Sequence, residues 1–494
     1  MKSRPCMWMN VACLVFALTM TIQLSAQDNA PNNNHQLRYR LVEIATFGGP
    51  ESFATQGPPL LRVLNSSGTA VGFANTPASD PYYPNCILNC YVIHGFQWQN
   101  GVLTDLGALP DVNSSAAFGV NESGLVAGVS ENGSIDPLTG YPEEDAVVWE
   151  RGRIENLGTL GGNNSIAFAL NDWGQVVGAA ANAIPDQYAF GQPYLAESTF
   201  PVAQQSRAFL WQNGTMHDLG TLGGNDAAAG LVNDLGMIGG TSYTNTTPNP
   251  TTGLPTMDPF VWVGGRMLDL GTLGNGHFSY PNWMNIWGQT VGNSAPADTW
   301  YHAFLWSGGR IQDLGLPLGG DFSTANWVSD VGEVVGDASL PGDQTYHAVL
   351  WRQGRATDLG VVSGYGCSVA TSINLVGQIV GLLVDCNTGE QIGAFLWENG
   401  TMYDLNTLIS PGSGLSLIGA FDINNLGEIV GQGRLPSGEI RAAVLILCGG
   451  DAPGNCQNQV LGAGENTNKS PRPAQQVKPW RDPMARFRAP IYSR

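Results

Sequence analysis

Apolar residues along this chain come in short runs, cut at near-regular intervals by Asn-Gly, Gly-Gly and Asn-x-x-Gly. His302-Ala-Phe-Leu-Trp306 is one such run. It lacks the alternation of a half-exposed strand and predicts a strand covered on both faces. Ser307-Gly308-Gly309 then reverses the chain, and residues 310–315 return as a second strand. Asn100-Gly101, Asn213-Gly214 and Asn399-Gly400 hold the same place elsewhere. Both residue types tolerate positive φ, so each pair predicts a tight hairpin. A glycine-rich bend follows, written Gly-Thr-Leu-Gly-Gly at 158–162 and 220–224. The third strand, residues 323–328, carries a small residue near its middle, as other copies do at Ala117, Ala167, Ala229 and Ala370. A turn such as Asn171-Asp-Trp-Gly174 leads into the fourth strand, like Val334-Val-Gly336. Asparagine bonds to backbone groups just ahead of it, and glycine takes the left-handed position.

This unit recurs about every 45 to 60 residues. Trp98, Trp149, Trp211, Trp262, Trp306, Trp351 and Trp397 mark seven copies. An acid or amide stands seven residues after each, at Asp105, Asn156, Asp218, Asp269, Asp313, Asp358 and Asp404. Four short antiparallel strands repeated in tandem predict an all-β fold, the blades of a β-propeller. A β-solenoid is the rival, but its coils are shorter and lack Asn-Gly hairpins. Residues 39–72 hold only the later strands of a unit: 42–49 match the Asp-Leu-Gly-Thr-Leu-Gly-Gly region, and 65–72 match the last hairpin. The missing first strand returns as Arg441-Ala-Ala-Val-Leu-Ile446, without its tryptophan. A ring closed by one blade shared between the N- and C-terminal segments removes the exposed sheet edges of an open array. The expectation is therefore eight four-stranded blades, with seven as the alternative.

His302-Ala-Phe-Leu-Trp306, His347-Ala-Val-Leu-Trp351 and the Asp-Leu-Gly-Thr-Leu-Gly-Gly phrases resemble the repeats of the bacterial extracellular HAF-repeat proteins. The resemblance covers residues 39–447. It implies export and a propeller-like body, and no activity, because that family is defined by its repeat and has no catalytic or binding residues to carry over. The chain departs from the name-giving phrase where histidine gives way to Asp145, Arg207, Asp258 or Gly393.

The ends read differently from the body. Residues 1–26 have a basic start, an uncharged apolar run and a small residue before Gln27, the pattern of an export signal. Residues 27–38 read as a disordered linker, 39–448 as the propeller, and 449–494 as a disordered basic tail rich in Pro, Asn and Gln. Nothing after the signal is long and apolar enough to span a membrane. The expected address is extracellular or periplasmic. Six cysteines remain after the signal, falling as neighbours: Cys86 with Cys90, Cys367 with Cys386, Cys448 with Cys456. Local disulfides are expected, and no paired CxxC knuckle suggests a metal. Net charge is −19, although residues 469–494 carry seven basic groups against one acid. The body is thus acidic enough to repel phosphate, which argues against a nucleic-acid partner. A monomer without cofactor is expected.

Candidate chemistry is sparse. No nucleophile elbow, zinc-protease, P-loop, EF-hand-like or sialidase-type motif is present, so no catalytic residue is assigned. The recurring acids suggest hydrogen bonds to the adjacent glycine-rich bends, because a residue repeated in every module shapes the fold. His94, His302 and His347 share one strand-entrance position and would lie around a ring rather than converge. The insertions at 73–93, 129–144, 179–206 and 241–257 all fall between a fourth strand and the next first strand. Such connections share one face, where loops on a rigid scaffold often carry recognition. The candidate binding residues are Tyr82, Tyr83, Tyr188 and Tyr194 in these loops and Trp300 in a shorter one, with Trp283 and Trp327 at one irregular third-strand position. The expected role is a binding scaffold for a protein or glycan. A carbohydrate-active hydrolase or lyase and a structural envelope protein are the alternatives.

Overall fold

The computed structural model describes residues 39–448, except 55–60, 84–88, 138–139, 187–202, 251–252, 298–299 and 411–413, and also describes residues 459–460. The expected signal and linker lie outside these residues, as does the rest of the tail. The described chain forms eight antiparallel sheets arranged as the blades of a propeller, with almost no helix.

Blade 2 illustrates the plan, with strands Ser115–Val120, Val126–Ile135, Pro142–Glu150 and Arg153–Gly158 in that spatial order. Its innermost strand is the third strand of the sequence unit, and its outer pair is the Trp strand and acid strand of the next copy. Blade and sequence unit are therefore out of phase by two strands. A circular repeat has no natural start, so periodicity alone cannot set this phase. The chain leaves each blade at the glycine-rich bend and enters the next.

The closing blade follows the same rule. Ser416–Ile423, Ile429–Arg434 and Ile440–Leu447 are joined by Tyr39–Glu43 from the other end of the described chain. Val42 pairs with Val444, and Tyr39 with Leu447. The expected shared blade is present, but its make-up is corrected. The Asn65 hairpin belongs to blade 1, whose strands are Ser52–Phe53, Ala70–Ser79, Tyr91–Gln99 and Val102–Asp105. Gln459–Val460 adds a short parallel strand outside Tyr39–Glu43.

Close approach explains the Val-Val-Gly phrase. A Cβ on Gly178 would run into the Ile166 carbonyl and meet the Phe209 ring at 2.7 Å. Phe209 is fully buried, as are Phe96, Phe260, Phe304 and Phe395 at the same place in other blades. The marker tryptophans pack between blades: Trp149 is 2% exposed and donates its indole N–H to the Gly107 carbonyl of blade 1 at 3.3 Å.

The Asn-x-x-Gly turns tie the ring together. Each asparagine accepts backbone N–H groups inside its own turn and donates its amide to the corresponding turn of the next blade. The links run Asn65 to Asn121, then to Asn171, Asn233, Asn285 and Ser329, and from Asn374 through Asn424 back to Asn65, at 3.0–3.2 Å. Seven junctions carry this bond. The eighth has Ser329, whose hydroxyl instead accepts the Glu333 amide within its own turn.

Cys367 and Cys386 form the expected local disulfide. Cys90 and Cys448 are also disulfide-bonded, while Cys86 and Cys456 lie outside the described residues. Among the described residues no helix is long and apolar enough to cross a membrane.

Candidate functional site

The repeated acids are structural. In most blades a residue in the first half of the third strand faces an acid or amide across the hairpin on the outer strand. His94 meets Asp105, His302 meets Asp313 and His347 meets Asp358, each at 3.0 Å. Arg207 meets Asp218 at 3.0 Å, and Arg441 meets Glu43 across the ring closure at 3.3 Å. In blade 2 the acid has changed strand, and Asn156 donates to Asp145 at 2.6 Å. In blade 7, Gly393 leaves room for Tyr365, whose hydroxyl donates to Asp404 at 3.2 Å. Most of the outer acids also accept the amide two residues ahead, such as Gly107 to Asp105 at 2.8 Å. Burial pushes the Asp105 carboxyl up, but His94 and the Gly107 amide outweigh it and hold its pKa below the usual value.

Blade 4 breaks this pattern with two carboxyl groups, Asp258 and Asp269. Burial, then the neighbouring carboxylate, raises the Asp258 pKa to about 7. A second acid thus stands where other blades place a cation, an amide or a hydroxyl, and it favours the protonated form of Asp258.

Two faces compete for function. A strand order running outward with antiparallel neighbours puts the insertions and glycine-rich bends at one end, and the Asn-x-x-Gly turns at the other. The insertions are less loop-like than expected. Much of their length continues the strands of blades 1 to 3, with ladders reaching Ser79–Tyr91, Ile135–Pro142 and Asp186–Ala203. Tyr82 and Tyr83 sit at the first of these hairpins, Tyr83 being 68% exposed. Tyr188 and Tyr194 lie outside the described residues. Trp300 is half-buried against Phe322 and Tyr346.

Trp283 and Trp327 are brought together, away from the tyrosines. Their rings stack at 3.5 Å and 14° on neighbouring blades. Each follows a bulge in its innermost strand, and the residues after the same bulge elsewhere are Gly119, Ala169, Leu231, Ser372 and Asp422. Six of the seven line a central cavity of about 200 Å³ that draws on all eight blades at the turn end, and the seventh, Ser372, bonds to Asp422. Asp422 is buried, and burial lifts its carboxyl to about 6, against the pull of Arg62 and Ser372.

Around the cavity mouth lies a feature the sequence reading did not single out as a surface. The third residue of the Asn-x-x-Gly turn is Trp173, Leu235, Trp287, Val331, Val376 and Leu426 in six consecutive blades, and Ser67 and Ser123 in the other two. Those six side chains are 64–77% exposed. Trp173 and Trp287 donate their indole N–H groups to the next blade, onto the Asp234 and Asp330 carbonyls at 2.8 and 2.9 Å. The signal was present in the sequence, since Trp173 and Trp287 stand in turns that tolerate any residue there. Among the described residues no cluster of three or more metal-ligating side chains occurs.

No family model and no curated protein matches the chain. Solved structures similar to it include the β-propeller domain of the Trilobed protease from Pyrococcus furiosus, at 9% identity and TM-score 0.43, covering 72% of this chain and 95% of that one. A PL25 ulvan lyase is similar at 8% identity and TM-score 0.37, covering 81% and 95%. A gluconolactonase from Xanthomonas campestris is similar at 10% and 0.30, covering 83% and 98%. Likeness at this level says nothing about chemistry.

Proposed function

We propose that this chain is an exported binding scaffold, of the HAF-repeat kind, that grips a protein partner across its turn face. The observation that carries this reading is the crescent of six exposed apolar residues around the cavity mouth. Contiguous exposed apolar surface on a soluble body marks interaction sites. Two tryptophans fixed by hydrogen bonds to the backbone are preorganised anchors, which reduces the ordering entropy lost on binding. Export is supported by the reading of residues 1–26 and agrees with the disulfides. A second reading places recognition on the opposite face, and the projecting hairpins of blades 1 to 3 favour it.

The test is a capture experiment from the cell envelope and culture medium, paired with a glycan array. Three forms of the protein are compared: wild type, the double variant Trp173→Ser/Trp287→Ser, and a form with the 73–93 and 179–206 hairpins shortened. Loss of capture in the double variant alone supports the turn face. Loss in the shortened form alone supports the hairpin face, and retention in both contradicts the two readings together.

A further inference from the structure

Positive charge in the propeller is scarce and gathers at one end. Residues 39–448 contain eleven arginines and no lysine. Arg153, Arg266, Arg310 and Arg355 begin the outermost strands of blades 2, 4, 5 and 6, just after the outer hairpin. That hairpin lies at the same end as the Asn-x-x-Gly turns. Arg352 in it pairs with Glu333, beside the Ser329 turn, at 2.6 Å, and in blade 3 Gln175 donates to Gln212 at 3.0 Å. All four arginines are exposed, and none has an ion-pair partner among the described residues. Neighbouring strands are about 4.8 Å apart, so these bases form a rim about 10 Å outside the apolar crescent.

Nearer the centre the character changes. Asp172, Asp234 and Asp330 stand in the turns, each accepting a backbone amide of the preceding blade at 2.9–3.2 Å. In blades 5 and 7 the same turn position is apolar, and Ile286 and Leu375, 38% and 49% exposed, widen the crescent. The face is thus apolar with some acid inside and basic at its border. A uniformly anionic bilayer would set charge against the inner acids as well as the rim. A second copy docking face to face would lay rim on rim. The chain's own residues 469–494 are basic and repelled by the same border. A protein segment can instead carry apolar groups along its middle and carboxylates only at its flank. A helix is about 10–12 Å across, so one lying on the crescent brings that flank to the arginines.

We propose that the turn face takes an amphipathic protein segment whose apolar ridge is bordered by Asp and Glu. The ridge sits on Leu235, Trp287 and Val331, and the carboxylates meet Arg266, Arg310 and Arg355. This rests on the turn-face reading and supplies the chemistry of its partner. Arginine forks favour carboxylates, and exposed pairs of this kind set partner choice and association rate more than affinity.

Fluorescence anisotropy with two synthetic helical peptides of about 18 residues tests this on the full chain. They share one Leu/Trp face and differ only in carrying Glu or Lys around it. The Glu peptide is expected to bind at least about tenfold more tightly than the Lys peptide at low salt, with a Kd below about 100 μM. Raised salt should narrow the gap. Arg266→Glu/Arg310→Glu/Arg355→Glu should reverse the preference, and Trp173→Ser/Trp287→Ser should weaken both peptides. Thermal melts report whether each variant is folded, and if the arginine variant is not, the salt dependence of the wild type decides. Equal or tighter binding of the Lys peptide, a preference unmoved by salt and by the arginine variant, or neither peptide binding below about 1 mM would overturn the proposal. So would co-sedimentation with anionic but not neutral vesicles when neither peptide binds. If the tryptophan variant weakens both peptides while the arginine variant changes nothing, the turn face stands and its acidic partner falls. If the tryptophan variant changes nothing, the turn-face reading falls with it.

Discussion

At the scale of single residues, the cross-hairpin pair is one structural job filled by six kinds of residue pair in eight blades. The acid of the pair stands on the outer strand in seven blades and on the third strand in blade 2, and it meets a cation, an amide or a hydroxyl everywhere except blade 4, where it meets a second acid. Asp258 therefore contributes a predictable pH dependence. Its folded pKa of about 7 lies above the ordinary carboxyl value, so the stability it allows is complete below that ordinary value and is lost as pH rises through 7. Asp258→Asn should raise stability at pH 8 by on the order of 2 kcal/mol and leave it little changed at pH 4, measured by denaturant melts. Equal effects at both pH values would refute the raised pKa of Asp258. Blade 2 offers the converse. Asn156→Asp recreates an acid pair with Asp145 and should destabilise the protein at pH 8, while adding Asp145→His restores the arrangement of blades 1, 5 and 6 and should recover the loss.

At the scale of elements, the strands were legible because each is bounded by residues with one conformational use. Asn100 has φ +50° and Gly101 φ +85°, as the Asn-Gly hairpin required. The Asn-x-x-Gly turns were legible as turns but not as fasteners. Their amide bonds cross to a different blade 44 to 62 residues away, or 359 residues away at the closure, and no local pattern reports that distance. The strand extensions in blades 1 to 3 were also hidden, because polar residues in an exposed hairpin look like loop. Asn285 donates to Ser329 and accepts the amides of Trp287 and Gln289 in its own turn. Asn285→Ala should cost about 1–3 kcal/mol, since buried partners are left unsatisfied. Ser329→Asn supplies the asparagine that the eighth junction lacks and should add roughly 0.5–1.5 kcal/mol. A loss of stability in Ser329→Asn would show that the ring is not strengthened by the eighth link.

At the scale of the whole molecule, repeat counting predicted eight blades and a shared closing blade, and both are present. Two things lay beyond its reach. Periodicity could not set the phase of blade against unit, so the Asn65 hairpin was assigned to the wrong blade. Nor could it rank the two faces, because exposure of Trp173, Leu235 or Trp287 depends on which end of a blade has nothing packed on it. Trp283 and Trp327 stood out as irregular in the sequence, but their stacking needed the curvature of the ring to bring neighbouring innermost strands together. The cavity and both faces exist only if the chain closes on itself through Tyr39–Glu43 and Ile440–Leu447. Hydrogen–deuterium exchange of the protein measures that closure directly. A closed ring predicts that the amides of residues 39–43 are protected to the same degree as those of Ile440–Leu447, the strand they pair with in the closing blade. Exchange of 39–43 within seconds, at the rate of a free arm, would contradict the ring and the sites that depend on it.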